Sequence, residues 1–179
     1  LTNPAGAKNQ VLGVYNKELT SIFTQVLKKL DANHSLVVHS KDGLDEISIA
    51  DSTYVSELKD GKIIEYEIQP QDFGLPLDSL DTLKVNDSKE SLVLVQEALD
   101  GKEGPAKNIV ALNAGAAIYV SGKANTLKDG VEQALRIMIL AYRELDLETP
   151  EKNAMAVLKL NYPDSGEVKR KDEWVIFDW

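Results

Sequence analysis

Apolar positions follow three rhythms along this chain, and each predicts a different element. "QVLGVY", residues 10–15, is a short and nearly unbroken apolar run, the pattern of a buried strand. Directly after it Leu19, Ile22, Phe23, Val26, Leu27 and Leu30 recur at helical spacing, with Asn16 placed to cap the helix they mark. A second apolar run, "SLVVHS" at 35–40, completes a strand–helix–strand order. That order predicts a right-handed βαβ unit with a parallel strand pair.

Alternation by two comes next. In "STYVSELKDGKIIEYEIQP", residues 52–70, Thr53, Val55 and Glu57 alternate with Tyr54, Ser56 and Leu58, and Asp60-Gly61 supplies a tight turn. This predicts a hairpin. "QDFGLPLDSL" reads as loop from its Gly and Pro content. Asp87 and Glu90 then have capping-box spacing ahead of Leu92, Val95 and Leu99, and Asp100-Gly101 ends that helix.

Residues 106–122 are apolar on nearly every side and rich in small side chains, which predicts a buried, closely packed helix. Thr126 opens another, whose buried stripe is Leu127, Val131, Leu135, Met138 and Tyr142. Thr149-Pro150-Glu151 signals the start of one further short helix. The end reads as a second hairpin: "VLKLNY" at 157–162, a turn at 163–166, and "EWVIFDW" at 173–179. Trp174 and Trp179 are expected to pack inside that hairpin and not to form a docking surface. There is no internal repeat.

Composition narrows the class. A chain of 179 residues with 43% hydrophobic and 27% charged content is expected to fold as one globular domain with a small appendage. A net charge of -9 argues against a nucleic-acid partner. The cluster Lys169-Arg170-Lys171 is flanked by Glu167, Asp172 and Glu173 and reads as a solvated turn. No cysteine is present, so disulfides, thiolate catalysis and cysteine-metal sites are excluded together. That fits a reducing compartment, and the cytoplasm is the expected location. No apolar run approaches the roughly 18 residues of a membrane span, so no membrane partner is expected. The opening "LTNPAGAKNQ" has neither signal-peptide features nor an initiator Met, so a fragment or a processed chain is expected.

Candidate chemistry gathers in "VVHSKDGLDEIS", residues 37–48. Asp45 and Glu46 are adjacent carboxylates just past an apolar strand. Such a pair either sits in open water or faces a cation. Ligands of parallel sheets gather at the carboxyl ends of the strands, which favours the second reading modestly. His39 is expected to be satisfied by backbone groups at a strand end, and His34 to be exposed in a helix-to-strand turn. Asn113, the polar residue of an apolar helix, is expected to bond a neighbouring backbone group in preference to a substrate. For Asn3, before Pro4, turn chemistry and a place on a substrate cleft explain it equally well. No phosphate-loop glycine pattern appears.

Three segments together resemble the anthranilate phosphoribosyltransferases: "LTNPAGAKNQVLGVY", "LVVHSKDGLDEIS" running into "DSTYVSELKDGKIIEYEIQPQDFGL", and "KNIVALNAGAAIYVSGKANTLKDGVEQA". The resemblance is collinear over residues 1–134. It implies an α/β fold of the nucleoside phosphorylase and phosphoribosyltransferase type, truncated, with a mixed sheet flanked by helices. Residues 135–179 carry no resemblance and are expected to add a helix and a hairpin packed on that body.

The resemblance also implies a function. The family transfers phosphoribose from phosphoribosyl pyrophosphate to anthranilate, releasing pyrophosphate, in tryptophan biosynthesis. Its Asp-Glu motif holds Mg2+, a role that falls here on Asp45 and Glu46. The family's glycine-rich loop, Lys-His-Gly segment and anthranilate-gripping arginine have no counterpart in these residues, nor has its dimerising helical domain. No catalytic residue is therefore assigned. An isolated chain is expected to be inactive, needing an amino-terminal half or a homodimer partner. The alternative is a catalytically silent binding or structural module.

Overall fold

The computed structural model describes residues 6–144, 148–165 and 168. Its strands are β1 (Asn9–Gly13), β2 (His34–Ser40), β3 (Thr53–Lys59) and β4 (Lys62–Ile68), in one sheet of order β1-β2-β3-β4. β1 and β2 run parallel, with Leu12 opposite Val37, whereas β2–β3 and β3–β4 are antiparallel. The helices are α1 (Glu18–Lys29), α2 (Ser88–Leu99), α3 (Pro105–Val120), α4 (Leu127–Glu144) and α5 (Glu148–Asn161). The expected mixed sheet flanked by helices is what forms.

The two faces of the sheet bury different things. Val37, Leu58 and the half-buried Leu12 and Ile63 point toward α1, where they meet Leu27. Leu36, Val38 and Val55 point the other way into the main core, with Leu112, Val131, Leu135 and Ile139 of α3 and α4. This is the period-two side-chain alternation of strands, used on both faces. α1 starts where expected: the Asn16 carboxamide accepts the Glu18 N–H at 2.9 Å. Its buried face is rotated from the expected stripe, however, because Ile22 and Leu30 are exposed. Thr20 and Thr24 are buried instead, and the Thr24 hydroxyl donates to the Thr20 and Ser56 carbonyls.

α3 and α4 approach closely through a pair of glycines. A Cβ on Gly115 would lie 2.6 Å from the Val131 Cα, and one on Gly130 only 2.3 Å from the Gly115 carbonyl oxygen. The small residues of the apolar helix therefore act as expected. α2 is capped by Asp87, which accepts the N–H groups of Lys89 and Glu90, but Leu92, Val95 and Leu99 face solvent.

The expected terminal hairpin is corrected. Residues 157–161 form the last turns of α5, not a strand. Ala154, Leu158 and Tyr162 are buried at a spacing of four, and Leu160 is 82% exposed. In "VLKLNY" the strand reading needed Leu158, Leu160 and Tyr162 on one face. A short apolar run fits both periods, and here the helix opened at 148–151 simply continues. The tail docks at its end: the Tyr162 hydroxyl donates to the Phe73 carbonyl at 3.2 Å. The second arm at 173–179 with Trp174 and Trp179, the basic cluster at 169–171 and Asn3 lie outside the described residues. Among the described residues no helix is long and apolar enough to cross a membrane.

Candidate metal site at the ends of the parallel strands

Asp45 and Glu46 lie in the loop that joins β2 to β3, at the carboxyl ends of the two parallel strands. Those ends are tied together. The Val14 N–H donates to the Val38 carbonyl at 3.0 Å, and His39 Nδ1 contacts the Val14 carbonyl at 2.8 Å. His39 thus meets a backbone group through Nδ1, as expected.

The loop folds over β1 because residue 13 is glycine. A Cβ there would sit 1.7 Å from the main-chain oxygen of Asp45, so any other residue would push the acidic pair away. Asp42 organises the turn. One of its oxygens accepts the Leu44 N–H at 3.1 Å and the other accepts the Ser48 hydroxyl. Beyond the pair, Ile47 and Ile49 are buried in the main core. Asn113, as expected, spends its carboxamide on backbone: it accepts from the Ile47 N–H and donates to the Ile47 and Ile109 carbonyls.

Both acidic side chains are exposed. Partial burial of the Glu46 carboxyl, then the Asp45 charge and a hydrogen bond that the protonated Glu46 donates to that neighbour, push Glu46 above the usual carboxylate range. Asp42 adds a third, weaker negative field. A cleft of about 430 Å³ opens beside Glu46, walled by Leu44, Leu80, Leu83, Ile109 and Val110, with Lys84 and Asn113 at its rim. A second cleft of about 560 Å³ lies at the opposite end of the sheet along residues 7–11, where Lys8 is the lone charged side chain.

The pair fits a hard divalent cation. Mg2+ prefers carboxylate oxygens and is held by one or two of them together with substrate phosphates. Among the described residues no group of three or more His, Asp or Glu could hold a metal alone, so the two carboxylates need oxygen ligands from elsewhere.

One cluster escaped the sequence reading. His34 is buried, not exposed as expected, and its Nε2 contacts Glu57 Oε1 at 2.9 Å. The same buried carboxylate accepts the hydroxyls of Tyr119 at 2.6 Å and Tyr66 at 2.8 Å. Burial, followed by the Glu57 hydrogen bond and charge, holds both tyrosine hydroxyls well above their ordinary value. The signal was present, since Glu57 shares strand parity with Val55 and had to point into the core. Each polar atom of Glu57 is satisfied, so this network holds β2, β3, β4 and α3 together and offers no open coordination.

Residues 1–139 match the family described as "Glycosyl transferase family, a/b domain", and the chain belongs to that family. Its relatives are specific. The chain is 59% identical over 148 residues to the anthranilate phosphoribosyltransferase of Vesicomyosocius okutanii subsp. Calyptogena okutanii (strain HA), covering 82% of this chain and 44% of that protein. The chain thus spans less than half the length of that relative. Among solved structures, anthranilate phosphoribosyltransferase from Thermus thermophilus matches with a TM-score of 0.70 and 36% identity, over 86% of this chain and 45% of that one. The Saccharomyces cerevisiae enzyme in complex with PRPP and Mg matches with a TM-score of 0.64 over 83% of this chain and 43% of that one; at 23% identity this is a likeness of fold alone.

Proposed function

We propose that this chain is the α/β portion of an anthranilate phosphoribosyltransferase acting in the cytoplasm in tryptophan biosynthesis. Residues 1–134 form the phosphoribosyltransferase-like body, and 135–179 an extension on it. In the reaction the amine nitrogen of anthranilate bonds to C1 of the ribose, the C1–oxygen bond to pyrophosphate breaks, and the amine loses a proton. Asp45 and Glu46 would hold Mg2+. When bound, Mg2+ supplies neutralisation of the charge that develops on the leaving pyrophosphate. The residues of this chain orient that end of the substrate, with Gly13 letting the acidic loop lie directly over the strand ends. The observation that carries the reading is this adjacent pair of exposed carboxylates beside a cleft in a chain 59% identical to such an enzyme.

The remaining substrate contacts are assigned to the part of the relatives that the chain does not span. The 179-residue chain alone should therefore give no phosphoribosyl-anthranilate above a protein-free control. Fused to the portion of the 59%-identical relative that it does not span, it should consume anthranilate only with phosphoribosyl pyrophosphate and Mg2+, followed by anthranilate fluorescence. In that chimera Asp45→Asn with Glu46→Gln should sharply weaken the Mg2+-dependent use of phosphoribosyl pyrophosphate. A folded chimera without activity, or an active one indifferent to the double substitution, would refute the proposal.

A further inference from the structure

We propose that Asn113 is a positioning residue for the Asp45–Glu46 pair: its carboxamide locks the main chain one residue past Glu46, so that both carboxylates stay aimed at one divalent cation. This rests on the metal role proposed above and adds the element that makes it possible.

Two adjacent carboxylates in an exposed loop repel, and a loop free to relax would let them swing apart. Here the loop is gripped on both sides of the pair. On one side the Asp45 carbonyl lies against Gly13, where even a methyl group would meet it at 1.7 Å. On the other side both polar main-chain groups of Ile47 are taken by one side chain. The Ile47 N–H donates to Asn113 Oδ1 at 3.1 Å, and Asn113 Nδ2 donates to the Ile47 carbonyl at 2.9 Å. The second Nδ2 hydrogen goes to the Ile109 carbonyl at 2.9 Å, within α3 itself.

That third bond fixes the orientation of the carboxamide. Two carbonyls require the nitrogen on their side, and the Ile47 N–H requires the oxygen on its own, so the side chain cannot flip without losing all three bonds. Its base is equally firm, because Ala111, Leu112 and Ala116 around it on α3 are fully buried. Ile47 adds a buried side chain to the same anchorage. The carboxamide thus pairs with Ile47 as a neighbouring strand would, and extends the rigidity of the core to the residue next to Glu46. Aspartate at 113 could not replace it, since it has no hydrogen to give the two carbonyls. Leucine could match its volume while leaving the Ile47 groups unpaired. Asn113 also borders the cleft beside Glu46, so the grip lies at the site itself.

The test uses the 15N-labelled 179-residue chain with Mn2+ and Mg2+ as probes. In the wild-type chain Mn2+ should broaden the amide signals of residues 44–47 saturably. Mg2+ should shift the Asp45 and Glu46 amides and the Asn113 side-chain amide with one shared midpoint. Asp45→Asn with Glu46→Gln should remove both effects. Asn113→Leu, with its folded spectrum retained, should raise the Mg2+ midpoint by about tenfold or more, the loss expected when a group that orients metal ligands is removed. If the wild-type chain shows no localised broadening, the metal role fails and the positioning role with it. If it does, but Asn113→Leu binds with an unchanged midpoint, the positioning role alone is overturned. Should Asn113→Leu not fold, the wild-type titration decides: a shared midpoint supports the proposal, and an Asn113 amide indifferent to Mg2+ overturns it.

Discussion

Leu158 and Leu160 are two residues apart, and the same truncation at each should have opposite consequences. Leu158 is fully buried on α5, packed into the main core, whereas Leu160 is 82% exposed. Leu→Ala at a buried site loses about 2.4 kcal/mol of transfer free energy for the carbons removed, and a cavity adds to it, giving about 3 kcal/mol. At Leu160 there is little burial to lose, so the change should stay within about 0.5 kcal/mol. Both sites are helical, so the small propensity gain of alanine cancels in the comparison. Urea denaturation followed by circular dichroism measures the difference, provided the two variants unfold with equal m-values. In a chain of this size about 3 kcal/mol corresponds to a melting temperature lower by about 6–12 °C for Leu158→Ala. Equal losses at the two sites would refute the helical placement, because only in a strand do both side chains share one face.

Two further outcomes follow from the buried polar groups. Glu57→Ala leaves two buried donors and the half-buried Tyr66 hydroxyl without an acceptor and should cost on the order of 4 kcal/mol; Glu57→Gln keeps the shape but loses the charge on the bonds, costing about 2 kcal/mol. A urea midpoint for Glu57→Ala close to wild type would show that the network carries no stability. The tyrosines set the alkaline limit. Burial, then the Glu103 charge, pushes the Tyr142 hydroxyl up to about 12, and Tyr66, Tyr119 and Tyr162 stand higher still. An unfolded tyrosine releases its proton near ~10, so the folded state binds these protons more tightly. The stabilisation is complete below about pH 10, declines as pH rises from there, and is lost through the folded-state values. Urea midpoints taken from pH 9 to pH 11.5 should therefore fall, and a flat profile would contradict the assignment.

Local order was legible wherever one rhythm dominated the sequence. The βαβ unit, the hairpin turning at Asp60-Gly61, the cap at Asp87 and the uninterrupted stripe of Val131, Leu135 and Tyr142 all stand where their spacing put them. The period of side chains along a helix or strand is a backbone property, so residues a few positions apart suffice to express it. So are the adjacency of Asp45 and Glu46 and their place just after an apolar strand. The period failed where the run was short: "VLKLNY" satisfies alternation and helical spacing alike, and the difference lies in what Leu158 can pack against.

Tertiary structure decided everything that depends on residues far apart in the chain. His34 is buried because Glu57 of the neighbouring strand meets its Nε2, and Tyr119 of α3 packs edge-on against its ring. No neighbour in sequence carries that information. Gly13 looks like one more small residue in a strand until the loop bearing Asp45 is laid across it. Asn113 reads as a polar interruption of an apolar helix, and only the fold brings it to Ile47, 66 residues away. Adjacency along the chain supplied two charges. Holding them together against their own repulsion requires contacts that form only when β1, the acidic loop and α3 meet in space.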